Sequence, residues 1–217
     1  VLAPAAVAEL AAEFATLEER SPAWMNQTKF TTRWQFVWRD SSVVRSVVER
    51  LAVLAGQVLG GAAHLAEDAV LLLEANDEGQ EWHVDRTPDT IFYSMDAQAD
   101  GLSLWIPLHE VKALEDGGSL YTAVSGSRAC RRHFAAPAED SVAAACRVAL
   151  DGVSEVRDFS PGDALLLHPA VWHRTQAVRA GASRSAYLVR FVLEGARYVK
   201  RHFGLSERLD CGPLWQG

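Results

Sequence analysis

No stretch of this 217-residue chain approaches the roughly 20 consecutive apolar residues that a membrane-crossing helix needs. No basic-then-apolar signal peptide opens it, although Val1 in place of Met points to trimming, and the expected location is cytoplasmic. Positive charge is also short: 21 Lys and Arg stand against 28 Asp and Glu, a formal net charge of -7, which argues against a nucleic-acid partner. Lysine itself is scarce, 3 against 18 arginines, so an arginine here is informative only by its position. Cys130, Cys146 and Cys211 are odd in number and share no close spacing, which speaks against a disulfide framework or a zinc site and predicts reduced thiols. Repeats, linkers and low-complexity tracts are missing as well. What is present is an ordinary globular composition, 49% hydrophobic and 23% charged, long enough for one domain with a sizeable core; the sequence carries no signal for oligomeric state.

Apolar residues recur at helical intervals from Ala3 to about Leu17 (Val7, Leu10, Ala11, Phe14, Leu17) and from Val43 to Leu59 (Val47, Leu51, Leu54, Val58), predicting two helices beside the core. Gly60-Gly61 stops the second. Between them, Arg33 to Arg39 sets Trp34, Phe36 and Trp38 at a period of two, a strand pattern whose aromatic face serves sheet packing or a pocket mouth. From Ala69 the texture changes to short apolar runs broken by turns: Val70 to Glu74, Ile91 to Met95, Leu102 to Leu108, Ser119 to Val124, Ala164 to Leu167 and Ser185 to Leu193. Asp77-Glu78-Gly79, Asp116-Gly117-Gly118 and Ser160-Pro161-Gly162-Asp163 are the turns. Ala135 to Leu150 is Ala-rich and reads as a helix or an insertion. The expected fold is mainly β with flanking helices, a sandwich or barrel. Within a single domain 1–217, residues 1–65 form a helical flank with one strand, 69–193 the β core and 194–217 a C-terminal extension.

His83, Asp85 and His173 are the residues with the most chemical content. In an extended strand, residues two apart face the same side with Cα atoms roughly 6.6 Å apart, so His83 and Asp85 can converge on one ion. The third ligand, His173, sits just past the apolar run Ala164 to Leu167. Two histidines and a carboxylate bind one face of an octahedron and leave three positions open, enough for a chelating co-substrate and dioxygen on ferrous iron. Such a site commonly takes 2-oxoglutarate, whose far carboxylate calls for a buried cation with a planar fork. Arg184 lies eleven residues after His173, at the start of the next apolar strand; Arg190 is its competitor on the same face.

The ordered words Trp82-His83-Val84-Asp85, Asp116-Gly117-Gly118-Ser119-Leu120 with Ser125-Gly126-Ser127-Arg128, Phe159-Ser160-Pro161-Gly162-Asp163 through His168, and Trp172-His173 resemble the phytanoyl-CoA dioxygenase family over about residues 69 to 193. The resemblance implies a double-stranded β-helix, a cupin-like jelly roll, with His83, Asp85 and His173 as iron ligands and Arg184 on the 2-oxoglutarate C5 carboxylate. It further implies that the Thr175 hydroxyl contacts that carboxylate and that Ser103 and Trp105 line the co-substrate pocket. Ser125 stands where the family usually has Pro, and Arg128 where His is common.

The activity so implied couples decarboxylation of 2-oxoglutarate to succinate with oxidation of a small-molecule metabolite or biosynthetic intermediate. Halogenases of similar type carry Gly or Ala at the carboxylate position, so Asp85 points to hydroxylation; desaturation, epimerisation and cyclisation would use the same iron. No basic surface for a coenzyme A tail is evident, which favours a free small molecule. Arg86 and Asp89, just beyond the metal pair, either touch substrate or belong to a solvated loop. His168 is the rival distal ligand, and His64, His109, His133 and His202 read as structural or exposed. Two readings of another class remain: a non-oxidative cupin-like metal-binding or isomerase protein, disfavoured by Asp85 and Arg184, and a barrel kept only for interaction.

Overall fold

The structure, a computed structural model, describes residues 1–20, 25–28, 31–35, 37–85, 101–123, 130 and 140–194. Helix α1 (Pro4–Arg20) is followed by strands β1 (Met25–Thr28) and β2 (Thr31–Gln35), a short 3-10 turn (Val37–Arg39), helix α2 (Ser42–Leu59) and strand β3 (Ala63–Leu73). Then come β4 (Gly101–Pro107), β5 (Leu120–Ala123), α3 (Asp140–Asp151), β6 (Glu155–Val156), β7 (Leu165–Leu167), β8 (Trp172–Thr175) and β9 (Arg184–Leu193). The strands form a six-stranded sheet, β1-β2-β3-β9-β4-β7, and a three-stranded sheet, β6-β5-β8, with antiparallel pairing throughout.

Both predicted helices form. The Ser41 Oγ accepts a hydrogen bond from the Val44 amide at 3.2 Å and caps α2, while Gly60 ends it at φ 79°, in the left-handed region. Val44, Val47, Val48, Leu51 and Ala55, spaced three and four apart, are the buried face. They meet Val7, Leu10 and Phe14 of α1 and the outer face of the large sheet, Tyr187, Val189 and Phe191 of β9 among them. The alternate β9 positions, Ala186 and Leu188, join Trp105, Phe159, Leu167 and Leu120 of the small sheet in a second core between the two sheets. Since side chains alternate along a strand, β9 also sends Arg184 and Arg190 into that interior.

Several sequence expectations are corrected. Trp34, Phe36 and Trp38 do not share one strand: β2 ends at Gln35, and Trp38 lies in the 3-10 turn, its amide donating to Asp68 Oδ2 at 3.0 Å. Phe36 is outside the described residues. A buried carboxylate and the packing of Val37 against the helices outweigh the local period. The first 65 residues hold two strands and the beginning of a third, because β3 starts at Ala63; His64, Glu67 and Asp68 hide its apolar pattern. His173 keeps its expected place just past the run Ala164 to Leu167, in β8 of the smaller sheet. Cys130 and Cys146 are joined as a disulfide, with Cα atoms 5.8 Å apart, in place of the expected thiols; the fold sets α3 against residue 130, which chain spacing did not reveal. The run Ile91 to Met95 is outside the described residues.

Asp68 gives the helical face of the sheet a pH dependence. Its Oδ2 also accepts from the Tyr187 hydroxyl at 2.7 Å, yet burial pushes its carboxyl up to about 7, against the lowering effect of those two donors and with a further push from Glu67. The folded state therefore holds this proton more tightly than the unfolded chain. Its stabilising contribution is complete below the unfolded value near 3.8 and is lost as pH rises through about 7. Urea melts should show wild type losing on the order of 2 kcal/mol relative to Asp68→Asn between pH 5 and pH 8. A constant gap would mean that Asp68 stays ionised throughout.

Candidate metal centre

His83 and His173 meet through a single antiparallel bridge that joins the strand β8 to the otherwise irregular segment 77–85. Each amide donates to the other's carbonyl at 2.9 Å, and the ring centroids are 4.2 Å apart. The extended strand expected at His83 is thus reduced to one bridge, which is enough to set both rings side by side. The Nδ1 of His83 lies 2.7 Å from the Glu81 carbonyl oxygen and that of His173 lies 3.0 Å from the Val171 carbonyl oxygen. A carbonyl can only accept, so both Nδ1 atoms carry a proton, and Nε2 is the nitrogen each ring has left to offer a metal. Burial, reinforced by the neighbouring His173, pulls His83 down to about 3, which keeps it neutral and ligand-competent.

Asp85 brings the carboxylate. It is buried, its Oδ1 is 3.8 Å from His173 Nε2, and one ligand atom from each of His83, Asp85 and His173 lies within 4.8 Å of the others. Burial alone would raise its pKa, but Arg190, the two histidines and a hydrogen bond from Ser103 hold it well below the usual carboxylate range. The donor set fits a divalent first-row ion of intermediate hardness, such as ferrous iron.

Arg184 fits the anion that would accompany such an ion. It is 2% exposed, yet its Nε and Nη1 have no hydrogen-bond partner among the described residues, an arrangement that is costly until an acceptor arrives. Desolvation pulls its guanidinium down to about 9, with Asp77 opposing. Gly118, at φ 70°, makes room: a Cβ there would sit 2.9 Å from Arg184 Cβ. Trp105 is buried with its ring 5.4 Å from the Arg184 guanidinium carbon, and its Nε1 is a second buried donor without a partner among the described residues. Thr175 follows His173 by two on β8 and pairs with Leu120, so it shares the interior face. Ser103 is buried beside the donor cluster, its Oγ donating to Asp85 Oδ2 at 2.7 Å.

The two arginines of β9 separate clearly. Arg190 is engaged, its Nη1 donating to Glu67 at 2.7 Å and its Nη2 to Asp85 at 2.8 Å, which leaves Arg184 as the guanidinium available for a ligand. Glu67 escaped sequence reasoning; a charged residue inside the apolar run Leu65 to Leu73 was the signal. The rival ligand His168 is exposed, its Nδ1 accepting from the Ala170 amide at 3.1 Å, and His109 accepts from the Ser185 amide at 3.0 Å. Arg86, Asp89, His133 and His202 lie outside the described residues.

No protein-family profile matches this sequence, and no curated protein matches it. Solved structures do. The non-haem alpha-ketoglutarate-dependent carbocyclase SnoK from nogalamycin biosynthesis superposes with a TM-score of 0.73 at 18% identity, over 91% of this chain and 79% of its own. The epimerase SnoN, in complex with Fe3+, alpha-ketoglutarate and nogalamycin RO, gives 0.71 at 17% identity over 94% and 81%. EctD from S. alaskensis with bound Fe gives 0.70 at 15% over 91% and 72%. At these identities the likeness is one of fold: the chain has the double-stranded β-helix of these proteins, with α1 and α2 packed on the outer face of its larger sheet.

Proposed function

We propose that this protein is an Fe(II)/2-oxoglutarate-dependent oxygenase acting on a free small molecule of the natural-product kind, with hydroxylation as the first reading. The observation that carries it is the pairing, inside one barrel, of a His-Asp-His donor cluster with a buried arginine whose Nε and Nη1 have no partner among the described residues. Ferrous iron with 2-oxoglutarate and dioxygen supplies oxidative decarboxylation to succinate and carbon dioxide, and with it the power to remove a hydrogen from substrate. The chain's part is to bind and orient. His83 and His173 offer their Nε2 atoms, Asp85 offers an ionised carboxylate, and Arg184 offers a fork for the far carboxylate of 2-oxoglutarate. Trp105 adds an indole N–H beside it. Leu120, Phe159, Leu167 and Leu188 wall the interior between the sheets, excluding water and strengthening each of these charges.

Cyclisation or epimerisation is the second reading, favoured by the likeness to a carbocyclase and an epimerase. Product mass separates the alternatives: hydroxylation adds one oxygen, ring closure by oxidation removes two hydrogens, and epimerisation leaves the mass unchanged. The test of the activity itself is anaerobic titration of Fe(II)-loaded protein with 2-oxoglutarate, followed by admission of oxygen and assay of succinate. A weak visible charge-transfer band and then succinate are expected. Bound iron with neither band nor succinate would move the protein to the non-oxidative cupin-like class.

A further inference from the structure

We propose that Arg190, clamped by Glu67, is a positioning residue of the metal centre: it fixes the orientation of the Asp85 carboxylate that the backbone leaves unfixed. The proposal rests on the ligand assignment above and extends it. His83 and His173 are held to each other by reciprocal backbone hydrogen bonds of 2.9 Å. Asp85 lies two residues beyond that bridge, in a bend outside any strand. Its carboxylate is gripped from the opposite sheet, by Ser103 on Oδ2 at 2.7 Å and by Arg190 on Oδ1 at 2.8 Å. A donor on each oxygen sets the plane of the carboxylate, and Oδ1 is the one 3.8 Å from His173 Nε2.

The grip is built into the sheet register. Glu67 on β3 pairs with Arg190 on β9, and Arg190 pairs with Ser103 on β4, so three adjacent strands present three polar side chains in one row. The side chains of Arg190, Glu67 and Asp85 are 7%, 8% and 3% exposed. Burying three charges is expensive, and an apolar row of equal volume commonly serves stability as well or better. Glu67 takes one arm of the guanidinium and so aims the other, because the planar fork moves as a unit. The row is thus more than a counter-ion for Asp85; it is a device for pointing it.

The test is anaerobic Co(II) titration, read by its ligand-field absorption, together with thermal melts of each variant. Arg190→Lys keeps the charge but loses the fork, and the Glu67→Gln/Arg190→Gln double variant removes both charges together. Both should bind Co(II) about 10- to 100-fold more weakly than wild type, with an altered band, while still melting cooperatively. Glu67→Gln alone should weaken binding by about threefold or more and shift the band in the same sense. Lowered melting temperatures with Co(II) affinity and band at wild-type values would overturn the proposal and leave Arg190 a structural ion pair. If the Arg190 variants do not fold, Glu67→Gln decides, and wild-type affinity and band there have the same meaning. Asp85→Ala keeps the two readings apart: wild-type Co(II) affinity in that variant refutes the ligand assignment itself, whereas weakened binding there with unchanged Arg190 and Glu67 variants refutes only the positioning role.

Discussion

Arg184→Gln should weaken 2-oxoglutarate binding to the Fe(II)-loaded protein by at least about 30-fold, from the roughly 2 to 5 kcal/mol that loss of one partner of a buried charge pair costs. Glutamine is shorter and neutral, so it can neither reach as far nor balance the carboxylate in an interior walled by Leu188 and Trp105. The unfolding free energy of the ligand-free variant should stay within about 1 kcal/mol of wild type. Removing a desolvated charge whose Nε and Nη1 have no partner among the described residues offsets the loss of its stacking on Trp105. Anaerobic titration of the charge-transfer band gives the first quantity and urea denaturation the second. Unweakened binding would place the 2-oxoglutarate carboxylate elsewhere.

The second large effect runs the other way in stability. Asp85→Ala should lower succinate formation by more than about 100-fold, since loss of a direct ligand exceeds the cost of losing a supporting group. It should also destabilise the metal-free fold by about 3 kcal/mol, because it deprives Arg190 of a buried carboxylate partner and the Ser103 hydroxyl of its acceptor. Coupled turnover measured as succinate together with product, and urea melts without metal, check the two halves. Turnover at the wild-type level would remove Asp85 from the ligand set. The inward arginines of one strand thus make opposite predictions: the loss at position 184 concerns binding alone, while the chain of charges at 190 supports the fold as well.

The ligand cluster was legible because each of its members is chemically distinctive and because four short words occur in a fixed order. Helices α1 and α2 were legible from their spacing, one face of each being solvated. The strands β4 and β9 were recognisable as apolar runs, but their two faces were not distinguishable. Every residue of β4 is buried, so no alternation marks which side meets the helices and which the barrel interior. Arg184 and Arg190 share a face, so what separates them is the engagement of Arg190 by Glu67, a residue 123 positions away. The hydrogen bond of Ser103 to Asp85 was not legible either, because Asp85 lies on an irregular segment. The Cys130–Cys146 pairing depends on where α3 docks, and the place of Trp38 on a buried carboxylate from β3; neither leaves a local signal.

The position of β9 in the middle of the larger sheet has a consequence for how the site comes into being. Its neighbours, β3 and β4, are both remote in sequence, and the contacts of Arg190 with Glu67 and Asp85 close loops of 123 and 105 residues. Contacts of that separation form slowly, since the entropy of loop closure is lost before they reward the chain. A nascent polypeptide that stops short of Arg184 already carries His83, Asp85 and His173, yet it has no central strand to join β3 to β4 and no arginine for an incoming carboxylate. The site is therefore completed by the last of the described strands to be synthesised.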